Sequence, residues 1–219
     1  AAAASPCCAE GGAKQQLALQ RVGDKPLRVL WYDTEQSEQS TQDILVNRIL
    51  PMAELLPPWE GLGDAFYAIN VRGMGYEKRR EMLPVAIAHY KPDLVVLDGN
   101  KDLMLDINDA TQATQTTEDL MRWAQRYSCC IVCVLHKNKS EADRNMRGSI
   151  GTELTNKAFE VFCCDLVSNR DSDTCVFRVE HYMSRKDKAR KGLYYTLSDK
   201  GLPVMCEKPQ EQPRDVQGR

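Results

Sequence analysis

The protein has 219 residues, of which 42% are hydrophobic and 27% charged, and its formal net charge at pH 7 is −2. A chain of this length buries a core without disulfide support, so the composition excludes wholesale disorder and a fibrous repeat. The near-neutral charge provides no overall field that would attract nucleic acid. The longest apolar runs are strand-sized, which excludes an integral membrane protein, and we expect a cytoplasmic location.

Strand and helix patterns alternate along the first two thirds of the chain. Helical periodicity begins at Ser40, which with Asp43 resembles a capping box, and we expect Pro51 to end that helix and Pro84 to kink or divide the next one. Buried strands are predicted at 27–32, 65–71, 93–97 and 130–135, and helices after 40, over 76–90 and from 116 to 127. This alternation is typical of an α/β fold with a mostly parallel sheet flanked by helices.

The pattern changes beyond Thr152, where strand-like segments predict a C-terminal antiparallel extension. These segments cover 161–166, 174–182 and 193–197. We therefore expect an N-terminal remnant or linker over 1–26, a core domain over 27–208 and a flexible tail over 209–219. The nine cysteines are interpreted as buried thiols that act as small hydrophobic residues, because six of them lie in apolar, strand-like segments.

Acidic residues follow two of the predicted strands, and a histidine follows a third. Asp33 and Glu35 come after the first strand, Asp98 ends Leu94-Val95-Val96-Leu97, and His136 follows the strand at 130–135. Ligands of parallel sheets bind at the carboxyl ends of the strands. Four apolar residues followed by an acid is the form of a Walker B strand, which presents a carboxylate to Mg²⁺ beside a nucleotide. Asp98 as a cap of the following turn, and His136 as a structural hydrogen-bonding residue, are the alternatives.

The order of these short motifs resembles that of the RecA-like P-loop ATPases, in particular the branch of hexameric replicative helicases and of plasmid and transposon mobilisation ATPases. The motifs are Tyr32-Asp33-Thr34-Glu35, then Val95-Val96-Leu97-Asp98-Gly99, then Val134-Leu135-His136-Lys137, then Arg147-Gly148-Ser149. The resemblance spans about 27–203. It implies a RecA-like fold, ATP and Mg²⁺ as ligands, DNA as a partner, and a homo-oligomer such as a hexameric ring.

The resemblance assigns a role to each polar strand end. Glu35 matches the glutamate that polarises the attacking water, which a carboxylate does by accepting a proton. Asp98 matches the acid that holds the magnesium shell. His136 matches the residue that senses the terminal phosphate, and Asp33 lies where a residue would contribute to nucleotide binding.

Two basic segments correspond to further functional loops of the family. The first occupies the position of a DNA-facing loop and contains Lys137, Lys139, Arg144 and Arg147, with Gly148 as a source of flexibility. In the second, Arg185 matches an arginine that reaches the nucleotide of a neighbouring subunit, and Lys186 is the alternative. The family has a lysine two positions before that arginine, and this chain has Met183 there.

The main departure from the family is the P-loop, Gly-x-x-x-x-Gly-Lys-Ser/Thr, whose backbone amides surround the phosphates. The sequence has no Gly-Lys pair, and Gly11-Gly12-Ala13-Lys14 is its nearest approach. A chain that starts downstream of the P-loop, and a natural pseudo-ATPase, are both open explanations.

The sequence therefore predicts the ATPase core of a DNA-handling motor or loader in replication or mobilisation. The alternative is a pseudo-ATPase module that binds DNA or a partner through its two basic loops and does not hydrolyse ATP. A third possibility is a metal-dependent nuclease that uses Asp33, Glu35 and Asp98.

Overall fold

A computed structural model describes residues 23, 25–53, 66–138, 146–167, 175–186, 188 and 192–209. The chain folds as two compact units, the first ending at Ala158 and the second beginning at Phe159. The predicted N-terminal segment and the predicted tail fall almost entirely outside the described residues.

The first unit is built on a four-stranded parallel sheet. Its strands stand in the order β2-β1-β3-β4, so that β1 and β3 are internal. This arrangement confirms the predicted α/β class with a parallel sheet flanked by helices. The elements in chain order are β1 (Val29–Asp33), α1 (Glu38–Ile44), a π-helical segment (Leu45–Ile49), α2 (Leu50–Ala53), β2 (Phe66–Asn70), α3 (Tyr76–Tyr90), β3 (Leu94–Asp98), a 3-10 helix (Asn100–Leu103), α4 (Ala110–Tyr127), β4 (Cys130–Val134) and α5 (Gly148–Lys157).

The first strand is buried along its whole length because both faces of the sheet are covered there. Leu30 and Tyr32 point into a core that includes residues of α3 and α4. Val29 and Trp31 point to the opposite face, where they pack with residues of α1 and the π-helical segment. The continuous apolar run that predicted this strand is thus explained by burial on two sides.

The first helix begins earlier and continues further than predicted. Ser37, rather than Ser40, is the N-cap, and its side chain accepts a hydrogen bond from the Ser40 amide. Pro51 does not end the helix, since α2 runs through it. The preceding π-helical segment explains the difference, because its wider turn, closed by a bond from the Leu50 amide to the Leu45 carbonyl, rearranges the hydrogen bonds just before the proline.

The structure also bears on the predictions for the two longer helices. Of the two outcomes predicted for Pro84, division does not occur, since α3 runs unbroken from Tyr76 to Tyr90 with Pro84 inside it. The helix α4 begins at Ala110 rather than near Thr116, because Asp109 accepts hydrogen bonds from the amides of Thr111 and Gln112 and so caps the helix six residues earlier.

The second unit is an antiparallel sheet in the order β5-β6-β7-β8, which confirms the predicted antiparallel extension. Its strands are β5 (Glu160–Leu166), β6 (Val176–Ser184), β7 (Leu193–Leu197) and β8 (Pro203–Met205), and the last one was not predicted. The interpretation of the cysteines as buried was correct for Cys129 and Cys163 but wrong for Cys130, Cys164 and Cys175, which are exposed. None of the helices in the described part of the chain is both long and apolar enough to cross a membrane.

Candidate functional site

The candidate site lies at the C-terminal edge of the parallel sheet, where the strands end side by side. Asp33, at the end of β1, pairs in register with Asn70 of β2 and with Asp98 of β3. Asp98 in turn pairs with Val134 of β4. Residues that immediately follow each strand therefore meet at one edge, as expected for a parallel sheet.

Asp33 is fully buried and organises the loop that follows β1. One carboxylate oxygen accepts hydrogen bonds from the amides of Glu35 and Gln36, both at 3.0 Å. The other accepts a bond from the Thr41 hydroxyl, to which Asn70 also donates. In this structure Asp33 fixes the backbone of Glu35, and its predicted part in nucleotide binding stays a prediction.

Glu35 stands between two cationic or ionisable side chains. Its Oε1 lies 3.0 Å from Lys101 Nζ, and its Oε2 lies 3.6 Å from His136 Nε2. These two contacts hold the carboxylate, and the Glu35 side chain remains 23% exposed to solvent. A Cβ at Gly99 would come within 2.6 Å of Oε1, so a larger residue there would displace the Glu35 carboxylate from this position.

Asp98 is close enough to other acids to be affected by their charge. Burial raises the pKa of the Asp98 carboxyl, and the nearby carboxylates of Asp33 and Glu35 raise it further, against a hydrogen bond from Trp31 and the charge of His136. Asp98 and Glu35 thus form a small cluster of negative charge at the ends of β1 and β3. Such a cluster is stabilised by a bound cation.

The cluster fits Mg²⁺ through its donor chemistry. Mg²⁺ is usually held by one or two carboxylates together with water and substrate phosphates. Asp98 would hold the ion, with Glu35 close by. A group of three or more His, Cys, Asp or Glu side chains able to hold a metal ion is not found among the described residues.

His136 follows β4 and is 67% exposed on its side chain. Its carbonyl accepts a bond from the Arg147 amide, and Lys137 forms a β-bridge with Met146. These contacts bring the two ends of the predicted DNA-facing loop together. Lys139 and Arg144, also predicted to bind DNA, lie outside the described residues.

Gly148, predicted to provide flexibility, has a conformation that itself favours glycine. It adopts a left-handed conformation with φ +77° at the start of α5, and a Cβ there would lie 2.6 Å from the carbonyl oxygen of Ile107. Glycine is needed for this close backbone approach.

Arg185 and Lys186 belong to the second unit, directly after β6. The Arg185 amide donates to the Phe159 carbonyl, and the Lys186 amide donates to the Ser184 hydroxyl. The predicted contact of the Arg185 side chain, or alternatively of Lys186, with the nucleotide of a neighbouring subunit stays a prediction.

Sequence analysis did not identify several residues of this edge as site residues. They are Thr34, Arg72, Arg79, Lys101 and Asp102, and together with Glu35 they line a cleft. The Thr34 hydroxyl donates to Asp102 Oδ2 at 2.8 Å and accepts from the Gly99 amide at 2.8 Å, which ties the loops after β1 and β3 together. The available signal was topological, since Arg72 and Lys101 each come two or three residues after the end of a parallel strand.

No family model and no curated protein matches this sequence. A fixed carboxylate beside a second, partly buried carboxylate and a histidine is suited to orienting a water molecule next to a metal-bound phosphate.

Proposed function

We propose that this chain carries the ATP-hydrolysing core of a DNA-handling motor or loader of the RecA-like type. The observation that supports the proposal best is the convergence of Glu35, Asp98 and His136 at the C-terminal edge of one parallel sheet. In a phosphoryl transfer to water, positioning and charge stabilisation provide most of the catalysis.

Each of the three residues has a place in the proposed reaction. Glu35, held by Lys101, accepts a hydrogen bond from the attacking water and then its proton. Asp98 would hold Mg²⁺, and the bound ion would neutralise charge on the phosphates. His136 is exposed and lies within 3.6 Å of Glu35, and in the proposed reaction it contacts the terminal phosphate.

The proposal requires phosphate-binding amides from residues other than a Gly-Lys motif, since the 219 residues contain none. This requirement also favours the second candidate, a pseudo-ATPase module that binds DNA or a partner without turnover. The two candidates differ first in nucleotide binding and then in hydrolysis.

The test is equilibrium binding of a fluorescent ATP analogue with Mg²⁺, followed by phosphate release from ATP. We expect Asp98→Asn to weaken binding and Glu35→Gln to reduce turnover by about 100-fold or more while binding remains. Glu118→Gln is the matched control, because Glu118 is exposed on α4 and has no partner among the described residues. Turnover undiminished in Glu35→Gln would remove Glu35 from this role, and absence of both binding and turnover would favour the pseudo-ATPase.

A further inference from the structure

An open cleft of about 360 Å³ lies at the C-terminal edge of the parallel sheet, on the side of Glu35 that faces Lys101. This volume is at the lower end of the range for small-molecule sites. The lining is polar, with three cations against two carboxylates, and comprises Thr34, Glu35, Arg72, Arg79, Lys101 and Asp102. A cleft of this size and polarity suits a small, charged ligand.

Arg79 is fixed in the wall of the cleft. Its Nε donates to the carbonyl of Val71 at 3.2 Å, and its Nη2 donates to the carbonyl of Arg72 at 2.6 Å. The remaining terminal nitrogen, Nη1, lies 3.7 Å from Asp102 Oδ1, and the side chain is only 16% exposed. The guanidinium group is therefore already ordered before any ligand arrives, which lowers the entropic cost of binding.

Both carboxylates of the cleft already have partners. Asp102 accepts a hydrogen bond from Thr34 and faces Arg79, and Glu35 is paired with Lys101 at 3.0 Å. Their negative charge is therefore largely matched within the cleft.

Arg72 provides the charge that is not matched. Its side chain is exposed and, among the described residues, its guanidinium group forms neither a hydrogen bond nor an ion pair. Its backbone is nevertheless held, because its amide donates to Asn70 Oδ1 at 3.1 Å and its carbonyl accepts from Arg79. An unpaired arginine beside a fixed arginine and a lysine is the arrangement that binds phosphate oxygens.

We propose that this cleft is a binding site for the phosphate group of a small molecule, with Arg72 and Lys101 contacting the phosphoryl oxygens and Arg79 forming a fixed cationic wall. Lys101 is shared, so an occupying phosphate competes with Glu35 for the lysine. The phosphate site itself does not depend on ATP hydrolysis by Glu35, whereas any effect of the competition on turnover rests on the function proposed above.

The test is titration calorimetry of the whole chain with inorganic pyrophosphate, at low ionic strength and with EDTA in place of Mg²⁺. We expect measurable binding that becomes about tenfold or more weaker in Arg72→Gln and in Lys101→Gln. The matched control is Arg126→Gln, because Arg126 lies in the last turn of α4, just before β4, and so at the opposite edge of the sheet. Binding that is absent, or equally weakened by all three substitutions, would overturn the proposal.

Two further arms identify the source of the phosphate and separate this site from the Mg²⁺ site. ATP competing with pyrophosphate supports a nucleotide ligand, whereas binding of a single-stranded oligonucleotide through Arg72, without pyrophosphate binding, would overturn the assignment to a small molecule. Asp98→Asn should not weaken pyrophosphate binding even if it removes Mg²⁺-dependent ATP binding, because it removes a negative charge near the cleft. Failure of the proposed ATPase and failure of the phosphate site are thus distinguishable.

Discussion

The two units use their strands differently, as β1 and β5 illustrate. All five residues of β1 are buried, because both faces of the parallel sheet are covered. In β5, exposed and more buried positions alternate, as in a sheet with one covered face, and its exposed side chains include Phe162 and Leu166. Charged side chains in the described strands of the parallel sheet thus lie at C-terminal ends, whereas β5 and β6 of the second unit carry charged and apolar side chains along their length.

This difference shows where chemistry can be concentrated. A strand buried on both faces leaves solvent access only at its ends, so the charged groups that follow β1, β2 and β3 are brought together at one edge. The exposed face of the second unit offers area for contact rather than a converging set of groups.

The largest expected effect comes from shortening a buried side chain in the first unit, compared with shortening an exposed one in the second. Leu30→Ala, in the core of the first unit, should lower the free energy of unfolding by about 2–5 kcal/mol, because it leaves a cavity. Phe162→Ala removes a side chain that is 56% exposed and stacked on His181, and should cost less than about 1 kcal/mol.

Urea unfolding with two probes tests this pair. All three tryptophans lie before Ala158, so their fluorescence reports the first unit, whereas circular dichroism reports both. A loss for Phe162→Ala as large as that for Leu30→Ala would mean that the exposed face of β5 is covered in solution, and the contrast between the units would fail.

A smaller effect is expected from a buried tyrosine. Tyr32 is fully buried and its hydroxyl donates to the Arg79 carbonyl at 2.7 Å. Tyr32→Phe should cost about 1 kcal/mol at pH 7, because that bond is lost. Burial raises the pKa of Tyr32 to about 12, so the stability that depends on the neutral phenol is present below about pH 10 and is lost as the pH rises toward 12.

The difference between Tyr32→Phe and the unchanged protein should therefore shrink between about pH 10 and 12. Tyr182→Phe, in the second unit, is the matched control, because its side chain is 44% exposed and its hydroxyl has no partner among the described residues. Its free energy of unfolding should change by no more than about 0.5 kcal/mol. Equal losses of unfolding free energy for Tyr32→Phe and Tyr182→Phe at pH 7 would contradict the contrast between a buried tyrosine in the first unit and an exposed one in the second.

The parallel sheet and its polar edge were predictable because burial on both faces leaves a simple sequence pattern. Apolar runs ending in Asp33 and Asp98 indicated both the strands and the place where Glu35 and His136 would meet them.

The helix caps and the cleft residues that sequence analysis missed depend on local contacts, which leave no periodic pattern in the sequence. The caps at Ser37 and Asp109 are single hydrogen-bonding side chains, chosen among several possible ones nearby. Arg72 and Lys101 are ordinary charged residues in the sequence, and only the strand order places them beside Glu35. Tertiary pairing, rather than composition, therefore created the cleft.

The smallest expected effect comes from replacing one aspartate in each unit by asparagine. The change in the free energy of unfolding should have opposite signs in the two cases. Ionised Asp98 is unfavourable in the folded protein, because burial and the carboxylates of Asp33 and Glu35 raise its pKa. Asp98→Asn should therefore increase the free energy of unfolding at pH 7, by about 1 kcal/mol at most. Asp165 is paired with Arg178 at 3.4 Å, so Asp165→Asn should instead lower the free energy of unfolding by up to about 1 kcal/mol.

The pH dependence provides the check on this pair. A raised pKa means that the folded state binds the proton more tightly, so the destabilisation by Asp98 is complete above its folded pKa and disappears as the pH falls toward the ordinary value of 3.8. The advantage of Asp98→Asn should vanish over that window in thermal unfolding measurements. Added Mg²⁺ should raise the melting temperature of the unchanged protein but not that of Asp98→Asn, because the ion would relieve the same repulsion. A destabilised Asp98→Asn at pH 7 would show that Asp98 is a structural partner rather than a repelled charge, and would remove the argument for a cation at the ends of β1 and β3.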